Sequence, residues 1–514
     1  MYMLHKLRGQ GMTARAFEAG SGVGGTWYWN RYPGARCDVE SLEYSYQFDE
    51  ALQQEWKWSE RYAPQPELLR YAEHVAERFG LRRDIQFDTR VEAAVFDEAA
   101  GCWRVTTSDG ARTSAQFLIL ATGCLSSAKL PEIGGIERFA GERYHTGRWP
   151  HHAVDFSGKR VGVIGTGSSA IQSIPLIARQ AQSLVVFQRT PTYSVPARNS
   201  AVDPAYEARV KADYAGFRAR NSRMMNAFGS NFPRNEASAL SVGAEPRKQV
   251  FEERWQRGGL PFLGAFGDLM LNAESNAAAA EFVRGKIRGI VKDPATAALL
   301  TPRQTIGCKR LCVDSDYYAT FNLPNVSLVD LGAAPIEAIT PAGVRSGGVE
   351  HAFDCLVFAT GFDAMTGPLL AIDIRGRDGL ALRDKWRDGP RSYLGLGSAG
   401  FPNLFIITGP GSPSVLTNMM VSIEQHVDWI AGCLDWMRRQ RHARIEATVQ
   451  AEAAWGQHVN AVADRTLFPT CNSWYLGANV PGKPRVFMPL VGFPPYVEQC
   501  NEVAARGYEG FLLS

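Results

Sequence analysis

Long apolar runs are missing from this chain. None approaches the roughly 18 residues that cross a bilayer, so no membrane partner is expected. The opening residues lack a charged region followed by an apolar core, so no signal peptide is expected and the cytoplasm is the expected compartment. A basic run is missing as well: 55 Lys and Arg stand against 52 Asp and Glu, a net charge of +3, so nucleic acid is not expected as a partner. The nine cysteines, at 37, 102, 124, 308, 312, 355, 433, 471 and 500, include no CxxC pair, and their odd number argues against a disulfide framework. Cys308 and Cys312 have no second ligand pair nearby; they are expected to be two free thiols, with no metal site. What remains is ordinary globular composition, 45% apolar and 21% charged, on 514 residues, enough for two or three domains.

Short β-branched runs alternate with helical patterns. Strands are expected at Thr13–Glu18, Phe117–Ala121, Arg160–Ile164, Leu184–Gln188, Val326–Val329, Cys355–Ala359 and Leu404–Thr408. Such alternation implies βαβ units and parallel sheets, hence an α/β fold. The stretch from about 200 to 300 is rich in Ala, Arg, Glu and Met with helical spacing, and a long helix is expected over Ser422–Arg439. Two Rossmann-like dinucleotide-binding domains, one interrupting the other and carrying a helical insertion, form the simplest layout.

The second nucleotide site is the clearer. The strand Arg160–Ile164 runs into Gly165-Thr-Gly167-Ser168-Ser169-Ala170, then a helix beginning with Ile171 and Gln172. This is GxGxxA in the strand–turn–helix setting that lets backbone approach a pyrophosphate at a helix N-terminus. The next strand ends at Gln188, followed by Arg189 and Thr190, where a fold taking NAD or FAD places an acid for the ribose hydroxyls. A guanidinium there suits a 2′-phosphate and points to NADP; the plainer alternative is a solvated surface arginine.

At the first site Glu18 ends a strand in the place of the ribose-binding acid, which suits a dinucleotide lacking a 2′-phosphate. The spacing rule sets the phosphate-binding glycines about 20 residues earlier, upstream of Met1. The first strand and its glycine turn are therefore expected to be absent from this sequence, and the chain as written is expected to bind FAD poorly or to misfold. After Glu18 come Gly24-Gly25-Thr26-Trp27-Tyr28-Trp29 and Arg31-Tyr32-Pro33-Gly34-Ala35-Arg36-Cys37-Asp38. So many rings and glycines in a loop suit a flat ring system laid on backbone, with an aromatic packing loop as the alternative.

Phe139-Ala-Gly141-Glu-Arg-Tyr-His145-Thr-Gly-Arg-Trp149-Pro150 fits FxGxxxHxxxW and stands directly before the second nucleotide motif. With Gly25–Asp38, Phe187–Pro191, Gly307–Arg310, Ala359–Asp363, Gly409–Pro413 and Ser473–Tyr475, the chain resembles the Baeyer–Villiger monooxygenases over nearly its whole length, most weakly between about 220 and 265. The resemblance implies FAD and NADP as cofactors, with a FAD domain over 1–127 and 363–514, an NADP domain over 128–196 and 308–362, and the insertion over 197–307. It implies an NADPH- and O2-dependent oxidation of a small hydrophobic ketone to an ester or lactone through a C4a-peroxyflavin. Such chemistry needs a fixed cation beside an anionic oxygen, and arginine suits it because it keeps its proton.

By resemblance, Arg310 is that cation and Asp38 sets its position. Glu18, Thr26, Trp27, Tyr28, Trp29, Asp38, Tyr44 and Met419 would contact FAD. Arg36, Cys37, Gly165, Gly167, Ser168, Ser169, Ala170, Gln172, Arg189, Thr190, Lys309, Arg310 and Trp474 would contact NADP. His145 would serve the linkage between domains, and Gly411–Met420 would line the substrate pocket. The alternatives are an oxidation of nitrogen or sulfur, and a non-catalytic NADP-binding protein.

Overall fold

The computed structural model describes residues 1–478, 480–483 and 491–514. Its central feature is a parallel five-stranded sheet in the order Val326–Asp330, Ser183–Gln188, Arg160–Ile164, Cys355–Phe358 and Glu142–His145. The middle strands read as continuous apolar runs, as strands covered on both faces must, and Val161, Val163, Leu184, Val186 and Val357 are buried in one core with Ile171, Ile174 and Ile177 of the helix Ser168–Gln180. The three-stranded antiparallel sheet Ile336–Ile339, Gly343–Ser346 and Val349–Ala352 covers the opposite face through Val344 and Phe353.

The other half holds two parallel strand pairs, Ala16–Phe17 with Ile85–Gln86 and Leu404–Ile406 with Leu118–Leu120. It also carries the four-stranded sheet of Asp373–Arg375, Val91–Asp97, Cys102–Thr107 and Arg112–Ala115. The helix Tyr2–Gly9 packs Tyr2, Met3 and Leu7 into a core shared with Val427, Ile430 and Leu434 of the helix Met419–Gln440. The helices of 197–307 do not form a core of their own. Val210, Tyr214 and Phe217 join the core around Tyr2, whereas Phe251, Trp255, Val283 and Ile287 join the core of the five-stranded sheet.

Sequence expectations change at several points, two of them in kind. The strand expected over Thr13–Glu18 is only Ala16–Phe17, because partner backbone exists only at Ile85–Gln86. Cys308 is not a free thiol. It is bonded to Cys471, 163 residues on, while Cys312 stays free and buried. Spacing rules see local pairs, and this partner arrives by tertiary folding.

Glu424, on the long helix, accepts from the amides of Gln47 and Phe48 at 2.8 and 3.1 Å through one oxygen. Burial raises its carboxyl from 4.5 to about 7. A raised carboxyl adds stability that is complete below about 4.5 and is lost as pH rises through about 7. Replacing Glu424 by Gln should therefore flatten the fall in thermal stability between pH 5 and 8, a component of about 3 kcal/mol for a displacement of this size. Unchanged pH dependence in the variant would contradict this.

Candidate active site

The NADP-side turn is built as the motif requires. Gly165 has φ +112°, and a Cβ there would lie 2.5 Å from the Ala359 carbonyl, so only glycine fits between the strands. Above Gly167 nothing lies within 4 Å of where a Cβ would be, leaving its backbone open to an approaching phosphate at the start of the helix Ser168–Gln180. Ala170 is fully buried beneath the turn, Ser169 donates to Thr146 at 3.0 Å, and Ser168 lies 3.2 Å from the Cys312 sulfur. Gln172 reaches back to the first half: it accepts from the Tyr32 hydroxyl at 2.8 Å and donates to the Arg36 carbonyl at 3.2 Å. The Thr190 carbonyl accepts from Thr166 at 3.0 Å, fixing the residue beside Arg189.

Lys309 is placed where Arg189 repels it. Burial and that neighbouring charge both lower its ammonium from the ordinary lysine range. Among the described residues neither cation has an acidic partner within ion-pair distance. Two converging cations without a carboxylate fit a phosphate, and this is the observation that tests NADP against the residues present. Losing either cation should narrow a preference for NADPH over NADH about tenfold or more, as charged hydrogen bonds of this kind are worth roughly 1.5–3 kcal/mol. Titrating Arg189→Ala and Lys309→Ala with both coenzymes checks it.

Arg310 follows a turn at Gly307, whose φ is +86°, and precedes the strand Cys312–Asp314, which pairs with Ser194–Pro196. Its guanidinium meets Asp38, 272 residues earlier, in a two-pronged pair: Nη2 lies 2.7 Å from both carboxylate oxygens and Nε 3.1 Å from one. Nη1 donates to the Val415 carbonyl at 3.0 Å. Burial disfavours the cation, but its neighbours, Asp38 foremost, together more than offset that and raise the guanidinium above the usual arginine range. The charge at this spot is permanent. Beside it lies an apolar surface of Cys124, Met365, Val415, Met419, Trp474 and Tyr475.

On the flavin side, Glu18 stands at the end of its strand, accepting from the Gly20 amide at 2.8 Å, and the buried amino end of the helix Tyr2–Gly9 lies within electrostatic reach of it. The next loop carries the short helix Thr26–Trp29, with Thr26 exposed and Trp27 and Trp29 part-exposed. The Trp27 indole donates to the Tyr44 hydroxyl at 3.3 Å, and their rings meet edge to face. An acid for ribose and part-exposed rings near Asp38 fit a flavin dinucleotide.

The side chains of three expected contact residues are engaged within the protein. Tyr28 is buried under the glycine loop, its hydroxyl on Ser21 at 2.7 Å, so its ring props that loop. Arg36 turns its guanidinium to Glu60 at 2.9 Å, and the Cys37 thiol packs into the core around Tyr2 and Tyr46. Arg36 meets the nucleotide side through its backbone, because Gln172 donates to its carbonyl. His145 is buried, takes the Gly147 amide at 3.0 Å on Nδ1 and sets Nε2 3.2 Å from the Lys129 carbonyl. Burial lowers its imidazole pKa, so it stays neutral and ties strand to loop. Trp149 packs 5.1 Å from the Tyr144 ring, in the core. Tyr475, buried in the apolar cluster with Val415, was not singled out by the sequence as a site residue; its only signal was its place after Trp474.

A turn that fits NADP and a loop that fits a flavin, with the part-buried Arg310 cation paired to Asp38, suit a flavin-dependent oxidoreductase that takes its electrons from NADPH. Residues 42–226 match the pyridine nucleotide-disulphide oxidoreductase family. The chain is 45% identical over its whole length to a phenazine N-monooxygenase of Lysobacter antibioticus, covering 95% of it. It is 42% identical, again over its whole length, to a Baeyer–Villiger monooxygenase of Pseudooceanicola batsensis, covering 94% of it. It superposes with a TM-score of 0.95 on a solved steroid monooxygenase bound to NADP, at 52% identity, with 100% of this chain and 97% of that one covered. The chain belongs to the Baeyer–Villiger monooxygenases, FAD- and NADPH-dependent enzymes that convert ketones to esters or lactones.

Proposed function

We propose that this enzyme oxidises a hydrophobic ketone, with Arg310 as the cation that steadies negative charge on the attacking oxygen and on the carbonyl oxygen it adds to. Reduced flavin and dioxygen supply the oxygen nucleophile; every other requirement falls on the chain. Arg189 and Lys309 hold the 2′-phosphate of NADPH, and the Gly165–Ala170 turn its pyrophosphate. Glu18 takes the flavin ribose, and Trp27, Trp29 and Tyr44 lie along its ring system. Asp38 fixes the guanidinium plane, and Met419, Leu416 and Val415 offer apolar surface to the ketone while keeping water away. The Asp38–Arg310 pair at 2.7 Å carries this reading.

A second reading draws on the phenazine N-monooxygenase relative. Attack by nitrogen calls for a protonated, electrophilic oxygen, whereas attack on a carbonyl calls for an anionic one; a permanent cation favours the anion. The deciding measurement is product analysis after NADPH oxidation with a cyclic ketone, an aromatic ketone and phenazine. Lactone or ester supports the proposal, and N-oxide without ester overturns it.

A further inference from the structure

Cys308 and Cys471 stand at the feet of two segments that the nucleotide site needs side by side. Lys309 and Arg310 follow Cys308 directly, and Trp474 comes three residues after Cys471. A chain advances at most about 3.6 Å per residue, so each of these residues lies within about 11 Å of its own cysteine. Neither arm is slack. Ser473 is buried and caps the turn Trp474–Leu476 by accepting from the Tyr475 amide at 3.2 Å. On the other arm Cys308 is fully buried and Arg310 is paired with Asp38. A bond between two short, stiff arms fixes what they carry.

Elsewhere the described contacts of the second segment run largely to other parts of the molecule. Tyr475 packs with Cys124, Ala364, Met365 and Val415, none of them in the 305–310 stretch. Leu467 donates to the Met270 carbonyl at 2.8 Å, again outside it. Thr305 and Thr470 set their hydroxyls 3.2 Å apart at an exposed spot, where water can replace either partner at little cost. Without the bond, the packing around Tyr475 should persist while Trp474 loses its register with Lys309.

We infer that Cys308 and Cys471 are positioning residues for NADPH: their bond holds Trp474 at the nucleotide whose 2′-phosphate Arg189 and Lys309 receive. This rests on the proposed nucleotide site and on Trp474 as one of its contacts. A dithiol reverses the positioning with two electrons. Its thiolate attacks the part-exposed Cys471 sulfur, and the buried Cys308 leaves as a thiolate and takes up a proton. The second thiol then closes on the mixed disulfide and releases Cys471, leaving two cysteine thiols and a cyclic disulfide.

The test counts thiols and then follows the KM for NADPH in NADPH oxidation, using the full chain throughout. Denatured without reductant, the parent should show seven thiols from its nine cysteines, and nine after dithiothreitol. Nine in both would overturn the inference. Cys471→Ser should raise the KM for NADPH about fivefold to tenfold with kcat nearly kept, because an untethered contact must be ordered on binding. Dithiothreitol should do the same to the parent without any substitution, reversibly on reoxidation, and nothing to the variant. General loss of folding lowers kcat and leaves KM, so it does not imitate this split. In a Trp474→Ala background Cys471→Ser should leave KM unmoved. A rise of equal size there would show that the bond does not act through Trp474, and would overturn the inference. A KM equal to the parent's in Cys471→Ser overturns it too, while a raised KM in Trp474→Ala alone keeps the contact reading. Trp474→Ala at the parent's KM removes that reading, and the inference with it.

Discussion

Replacing Arg310 by alanine is expected to abolish ester formation, with a loss of at least about 1,000-fold. Removing one neutral donor from a site where charge develops already costs 100- to 1,000-fold, and here the donor is also the cation. Arg310→Lys should fail nearly as badly. A lysine ammonium is a single point that cannot span both oxygens of Asp38 at 2.7 Å while also serving the Val415 carbonyl at 3.0 Å. NADPH oxidation should persist without product in both variants, because the residues proposed to hold the nucleotide, Arg189, Lys309 and the Gly165 turn, are untouched. Ester output and NADPH consumption recorded on one sample provide the check. Ester formation at the parent's rate in Arg310→Ala would remove the electrostatic basis of the proposed function.

Removing the partner acid should damage stability as well as rate. Asp38→Ala leaves a guanidinium facing an apolar cluster with no counter-charge. Fully buried pairs broken in this way cost about 3–5 kcal/mol. With 24% of each side chain still exposed, solvent repays part of that, and about 2–3 kcal/mol is expected. Asp38→Asn keeps the shape and one acceptor and should recover part of the stability, yet not the rate, since a neutral amide no longer anchors the charge. Denaturant midpoints beside ester output separate the two losses. A variant as stable and as active as the parent would show that the pair contributes nothing.

Much of the nucleotide half was legible because its signals are local. The strand Arg160–Ile164 has the bounds its sequence implied, and the turn after it carries its own glycines. Arg189 also announced itself, by standing where an acid is usual. The long helix begins at Met419, three residues before the expected Ser422, because Asn418 caps it by accepting from the Met420 amide. Features made by distant contacts were not legible from residue patterns. The Asp38–Arg310 pairing spans 272 residues and was named by resemblance alone. The Cys308–Cys471 bond and the Val415 carbonyl contact left no periodic or compositional trace, since each depends on two segments meeting in space. Tyr28, Arg36 and Cys37 show the converse: a motif marks that a loop matters without telling which side chains turn inward.

The divided allegiance of the 197–307 helices has a mechanical consequence. With Phe217 rooted in one core and Phe251 in the other, this stretch spans the molecule like a hinge plate screwed into two leaves. Any swing of one leaf against the other must bend the connection between the helices ending at Ser222 and beginning at Ala244. That connection includes Phe228, Gly229, Asn231 and Phe232, which line the small cavity next to Asp38. Relative rotation of the two halves would thus also reach the cavity wall beside the acid that aims the arginine.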